Sequence, residues 1–253
     1  MIGKVPLMEK GKIQAIESAA LNAWATPRQM YYDGWLLRMT GGDSKRVNSV
    51  NVYRMSTLPF DEKIRKCEQI YAQHKQPLIF RLPEPFTSSE LRQALINKGY
   101  QEFDPTFVLG REISAGKDLP DNVSVRILTA EDWLQVRSWL TGTPLVELVY
   151  HAAVLNVILP EKVLVGLYVD DIPAACGMGV VEGNLLGYFS IYTHRGMRRQ
   201  GYGSVVMEVL SGWGKEKGAT YGYLQVEGDN APALRMYEKL GFMRVYSYSY
   251  WKR

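Results

Sequence analysis

The sequence predicts an α/β protein, an α+β mixed sheet built as two tandem copies of one fold. Three observations lead there. Short alternating apolar runs interleave along the whole chain with stretches of helical period, the pattern of strands covered by helices. The stretch REISAGKDLPDN, 111–122, replaces periodic apolar residues with glycine, proline and charge, and marks a boundary. The segments ALINKGYQEF (94–103) and MYEKLGFMRV (236–245) repeat one order, helix, Lys, Gly, aromatic, strand, once on each side of it. The expected units are residues 1–113 and 123–253.

In the first unit KIQAIESAALNAW reads as a helix, DGWLLRM and RVNSVNVYRM as strands, and DEKIRKCEQIYAQH as a helix. PLIFRL, SSELRQALINKGY and FVLGREI follow as strand, helix and strand. The second unit opens with the alternating strand VSVRIL (123–128), and Thr129 then caps a helix with Asp132 at its third position. PLVELVYHAAVLNVI continues as helix. KVLVGLYV and IPAACGMGVV flank Asp170 and Asp171 as a hairpin, and LLGYFSIYT (185–193) is a third strand. A loop and helix, the strand YGYLQVE, the helix APALRMYEKL and the strand FMRVYSYSYW complete the order β-α-α-β-β-β-α-β-α-β.

The 253 residues, 46% of them hydrophobic, suffice for packed cores. A formal charge of +4, dispersed without a Lys/Arg run, fits an anionic ligand better than nucleic acid. No window approaches a membrane span, the opening MIGKVPLMEKGKIQ is not signal-like, and Cys67 and Cys176 are the only cysteines. The expectation is a soluble cytoplasmic protein.

RRQGYGS, 198–204, stands between the strand LLGYFSIYT and a helix. The first amides of a helix have no internal partner and carry the positive end of its dipole. Glycines at 201 and 203 let an anion approach them, and Arg198 and Arg199 add charge-assisted hydrogen bonds. The ligand expected there is a phosphate or diphosphate. A P-loop is excluded because no G-x-x-x-x-G-K-[ST] occurs, and a dinucleotide fingerprint because position 206 is Val206 rather than glycine.

IYTHRGMRRQGYG, the helix after it and LQVEGDNAPALRMYEKLGF resemble the acetyl-CoA-binding half of the GNAT superfamily of N-acetyltransferases over roughly residues 123–253. The resemblance implies tandem GNAT-like acyl-CoA N-acyltransferase folds, with acetyl-CoA as cosubstrate and no metal. It implies that the backbone amides of Arg199, Gln200, Gly201, Tyr202, Gly203 and Ser204 wrap the CoA diphosphate beside Arg198. Ile191 and Thr193, with Tyr192 between them, would flank the pantetheine arm, Asn230 would contact the cofactor and Tyr237 would lie near its sulfur. Two departures from the family pattern are Arg195 in place of the common proline and a strand without a carboxylate. Independently of the family, Asn230 is a suitable N-cap for APALRMYEKL, Pro232 fits its first turn and Gly241 its end.

Acetyl transfer requires a neutral amine and a proton for a thiolate whose reference pKa is about 8.5. Tyr237 is the candidate acid and Glu227, at the end of YLQVE, the candidate base. Glu147 and His151, four apart, read more simply as a surface pair, and His194 as a cofactor or solvent contact. Tyr188, Tyr192, Tyr246, Tyr248 and Tyr250 either pack or line an acceptor cleft. Where the first unit would place its phosphate loop it has STLPF, with no glycine pair and a proline that removes an amide, so that half is expected not to bind CoA. The functional expectation is transfer of acetyl to a primary amine of a small molecule, amino acid or peptide, with no nucleic-acid or membrane partner. The alternative is a CoA-binding regulatory or scaffold module without turnover.

Overall fold

The computed structural model describes residues 10–54, 56–113, 120 and 122–253. Much of the boundary read at 111–122, namely 114–119 and 121, and the start of the opening segment lie outside the described residues. In chain order the elements are α1 (Lys10–Ala23), β1 (Gln29–Tyr32), β2 (Trp35–Arg38), β3 (Val50–Val52), α2 (Phe60–Gln73), β4 (Phe80–Pro83), α3 (Ser89–Asn97) and β5 (Gln101–Glu112). Then come β6 (Val123–Ile127), α4 (Ala130–Thr141), α5 (Val149–Val157), β7 (Glu161–Val169), β8 (Ile172–Glu182), β9 (Leu185–Thr193), α6 (Tyr202–Glu216), β10 (Tyr221–Glu227), α7 (Ala231–Lys239) and β11 (Met243–Lys252).

The mixed α/β architecture expected from the sequence is the one observed, and the β-α-α-β-β-β-α-β-α-β order of the second unit is reproduced in full. Thr129 caps α4 by accepting from the Asp132 amide at 3.1 Å, and Asp170 and Asp171, both at positive φ, form the β7–β8 turn. The sequence reading missed β1, which pairs with β2 across Asp33 and Gly34, again both at positive φ. Within the described part of RVNSVNVYRM the strand is β3, because Lys45–Val47 turns as a 3-10 helix; Met55 lies outside the described residues.

The two halves follow the same course, three antiparallel strands, a helix, a parallel strand, a helix and a last strand. β3 lies parallel to β4, and β9 parallel to β10. Even the helix ends agree. The amide of Tyr100 bonds to the Leu95 carbonyl and that of Phe242 to the Tyr237 carbonyl, both at 3.0 Å, around Gly99 and Gly241 at φ +82° and +80°.

Among the described residues one eleven-stranded sheet runs β1-β2-β3-β4-β11-β5-β10-β9-β8-β7-β6. The halves exchange their last strands: β5 lies between β10 and β11, and β11 lies between β5 and β4. Helices α1, α4 and α5 cover one face with a core that includes Trp24, Trp133, Phe189 and Tyr223; α6 and α7 cover the other against Leu186, Leu224 and Val226. Residues of α2 and α3 close a separate core around Trp35 and Phe80. No described helix is long and apolar enough to cross a membrane.

Candidate active site

The parallel strands β9 and β10 pair from Leu185/Tyr221 to Tyr188/Leu224 and then part. Each strand remains held on its far side, β10 by β5 out to Glu227/Thr106 and β9 by β8 out to Thr193/Ala175. β9 carries an extra residue opposite Cys176 and Met178, with Ser190 at φ +51°, so the strand bends away where pairing stops. The Gly177 carbonyl beside this bulge is held by the Trp133 indole N–H at 3.2 Å.

The loop after β9 runs through Arg199 at φ +64° and Gly201 at φ +88° into α6. Within α6 the first bond is Ser204 to the Gly201 carbonyl at 2.8 Å, so the amides of residues 198–203 have no protein acceptor among the described residues. Six consecutive free donors on a helix N-terminus form an anion cradle. Gly201 faces open space, as expected of a residue that lets a ligand reach the backbone. Gly203 serves a different purpose. A Cβ there would come within 3.0 Å of Met236 Sδ and 3.4 Å of Thr193 Oγ1, so its absence seats α6 against α7 and β9.

This loop opens into a cleft of about 930 Å³ whose walls include Ile191, Tyr192, Thr193, Arg198, Arg199 and Gly201. Tyr202, Gly203, Ser204 and Asn230 of the sequence-expected set line it too. Asn230 caps α7 by accepting from the Ala233 amide at 3.2 Å. Gln200 does not line the cleft, and its side chain accepts from the Tyr202 hydroxyl. The sequence reading passed over Arg235 and Lys239, which add two cations to Arg198 and Arg199. Their spacing of four on α7, beginning five residues after the cap, was the available signal.

The candidate catalytic residues stand apart from that cleft. Tyr237 is buried against Phe242, ring centroids 5.8 Å apart, and does not line the cleft. Burial pushes its phenol up to about 12, and its hydroxyl has no hydrogen-bond partner among the described residues. Its counterpart in the first half, by the helix-end hydrogen bond, is the buried Leu95. Glu227 ends β10 largely exposed, 3.9 Å from Lys45 Nζ, which lies closer, at 2.5 Å, to Asp104. Glu147 and His151 both line a second cavity beside Trp24. His194 stacks on Trp139. Tyr246, Tyr248 and Tyr250 pack in the core on the α1 side, while Tyr188 packs under α6 and bonds to Ser211 at 2.7 Å. No described cluster of three His, Cys, Asp or Glu side chains is spaced to hold a metal.

A parallel strand pair that parts beside an amide-lined helix start, with a second capped helix across the cleft, defines a GNAT-type N-acetyltransferase. A family model described as "Probable histone acetyltransferase Rv0428c C-terminal" matches residues 10–251, and the chain belongs to that family. The uncharacterized N-acetyltransferase YobR of Bacillus subtilis strain 168 is 26% identical over 245 residues, 94% of this chain and 97% of that protein. A GCN5-related N-acetyltransferase from Kribbella flavida superposes with a TM-score of 0.72 at 16% identity, over 94% of each chain. A tandem GNAT protein from the clavulanic acid biosynthesis pathway gives 0.67 at 12% identity, over all of this chain and 89% of that one. The protein is an acetyltransferase of this fold.

Proposed function

We propose that this protein transfers an acetyl group from acetyl-CoA to a primary amine of a small molecule, amino acid or peptide by direct attack. The observation that carries the reading is the run of free amides at residues 198–203 where β9 and β10 part. A diphosphate suits those donors, and Arg198, Arg199, Arg235 and Lys239 supply charge for a cosubstrate with several phosphate oxygens. Acetyl-CoA supplies an activated thioester. Ile191 and Thr193, on the unpaired edge of β9, flank the arm that carries it, so the acetyl group lies where the two strands separate. An amine entering from the face covered by α1, α4 and α5 then meets the thioester in line with the parting.

Tyr237 is the proton donor in this reading and Glu227 the acceptor of the amine's proton. Support for Tyr237 is its position two turns along α7 from the Asn230 cap, and burial keeps it protonated at neutral pH. Glu227 ends the strand that borders the parting and carries an exposed carboxylate. The first half takes no CoA, because the amides of Thr57 and Leu58 at its corresponding loop already bind the Asp33 carboxylate. Two free, buried cysteines are compatible with a cytoplasmic setting.

Thermal unfolding with and without acetyl-CoA tests the reading. Ligand at a hundred times its dissociation constant adds about 2.7 kcal/mol, and release of thiol with an amine panel reports turnover. In Gly201→Glu the shift should vanish, since a carboxylate then projects from the cradle. The left-handed backbone alone costs about 1–2 kcal/mol, so loss of ligand response in a folded variant is the decisive outcome. An unchanged response would remove the loop from the cofactor site.

A further inference from the structure

A loop of the first half crosses the acceptor face of the parted strands. Asn48 staples it: its Oδ1 accepts from the Thr40 and Gly41 amides at 2.7 and 3.0 Å, and its Nδ2 donates to Thr40 Oγ1 at 2.8 Å. Gly42 lets the loop press onto α5, since a Cβ there would lie 2.7 Å from Tyr150 Cβ. So held, the loop sets Lys45 beside Glu227 of β10 and lays Arg46 on Trp24 and Phe189, 5.4 and 6.0 Å from their rings. Phe189 is the first β9 residue past the last β10 pair.

Charge on this face does not balance. Lys45 is matched by Asp104 and Glu227, but Arg46 has no carboxylate partner among the described residues. It borders one small void with Arg38, Arg81 and Gln225, the last being the first β10 residue past the pairing. Arg38 and Arg81 are each 2% exposed, and among the described residues the only buried carboxylate beside them is Glu17, bonded to Arg81. Arg38 is held instead by the carbonyls of Trp24 and Leu21. On α4, Arg137 is 7% exposed, bonds only to the Tyr192 hydroxyl, and leaves Nε and Nη1 without partners among the described residues. His151 feels the same surplus. Its pKa is lowered to about 4, first by burial and then by Arg137 and Arg46, with Asp43 opposing. Among the described residues, then, one buried carboxylate, Glu17 on Arg81, stands against these four guanidiniums, while the exposed Asp43 and Glu147 line the cavity beside Trp24.

We infer that the acceptor is an amine that also carries a carboxylate, and that Arg46 on the first-half loop is the residue that selects it. The inference rests on the acetyl-transfer reading and adds the substrate class. A purely cationic amine is repelled by this field, whereas the carboxylate of an ampholyte is a counter-ion matched to the guanidinium fork. The same field disfavours the ammonium form, raising the fraction of neutral amine. In the reaction the amine nitrogen bonds to the acetyl carbonyl carbon, the C–S bond breaks with its electron pair going to sulfur, and the amine proton ends on the thiol.

The test compares free amino acids with their carboxamides as acceptors, reading thiol release from acetyl-CoA in the wild type and in Arg46→Gln. The carboxylate form should have a kcat/KM about tenfold higher or more, the scale of one charge-assisted contact, and the gap should close in Arg46→Gln. Binding gives a second readout: N-acetyl amino acids should stabilise the CoA-bound wild type more than their carboxamides do. Equal rates with equal product binding, a preference for the carboxamide, or a gap that survives Arg46→Gln in a folded variant overturns the inference. If acetyl-CoA itself produces no thermal shift, the transferase reading falls and this inference with it; a shift without carboxylate preference sinks the inference alone.

Discussion

The Asp33 carboxylate accepts from the Thr57 amide at 3.0 Å and from the Thr57 hydroxyl at 2.6 Å, in the first half's counterpart of the 198–203 loop. It also accepts from the Leu58 amide at 3.0 Å, and the buried Lys63 ammonium lies 3.1 Å away. In one half of the chain the helix-start amides stand free; in the other a side chain from the β1–β2 turn fills the place an external anion would take. Hydrogen bonds from the Thr57 hydroxyl and then the Leu58 amide hold the Asp33 carboxyl well below the usual carboxylate range.

That lowering fixes a pH dependence. A carboxyl whose folded pKa lies below its unfolded value, about 3.9, contributes stability in full above that value and loses it as pH falls toward the folded pKa. Asp33→Asn should therefore unfold at a lower temperature than wild type at neutral pH, and the difference should shrink progressively below about pH 4. A difference that stays constant down to strong acid would mean that the carboxylate charge is irrelevant there. Calorimetry with CoA should find one site per chain in the wild type, since this loop is already occupied.

Tyr237 and Glu227 separate catalysis from packing. The Tyr237 hydroxyl has no partner among the described residues, so Tyr237→Phe should change stability by no more than about 0.5 kcal/mol and leave acetyl-CoA stabilisation intact. If the phenol delivers the proton, turnover drops on the order of a hundredfold, the lower range for a lost acid. Full activity would make Tyr237 what Leu95 is in the other half, a core side chain. Glu227→Gln should lower kcat/KM if Glu227 takes the amine's proton. Unchanged kinetics would leave it a surface partner of Lys45.

What was legible in the sequence was local. Period and caps such as Thr129 and Asn230 are written within a few residues, and so were the elements they begin. The cradle was legible because two glycines and its amides lie in one short loop. The exchange of β5 and β11 was not, because strand partners are chosen by packing across the whole sheet. For the same reason Arg46, a plain basic residue in a loop, gave no sign that it would rest on Phe189 more than a hundred residues on. β1 was the avoidable miss, since Asp33-Gly34 is a hairpin signal.

The exchanged strands are pinned by a buried network. Glu17 of α1, fully buried, pairs with Arg81 of β4 and accepts from the Tyr246 hydroxyl of β11. Removing one member of such a pair leaves an unmatched buried charge, so Glu17→Gln should destabilise by about 3–5 kcal/mol in chemical denaturation. A loss below about 1 kcal/mol would mean that Arg81 finds its stabilisation elsewhere, in its stacking 3.7 Å over Tyr248.

The exchange also bears on the two units read at 1–113 and 123–253. By sequence each resembles a complete fold, yet β10 takes its antiparallel neighbour from the first unit and β4 takes its own from the second. Residues 123–253 alone would expose the β10 edge along the seven positions that pair with β5, together with both edges of β11. Unpaired edges with apolar side chains associate. Expressed alone, each unit should therefore be insoluble or form oligomers, whereas coexpression of 1–113 with 123–253 should yield a soluble one-to-one complex that acetyl-CoA stabilises. The stoichiometry is readable by light scattering. A monomeric, cooperatively unfolding 123–253 that binds acetyl-CoA as the full chain does would mean that β11 can fold back beside β10, and that the exchange adds reach between the halves rather than stability within them.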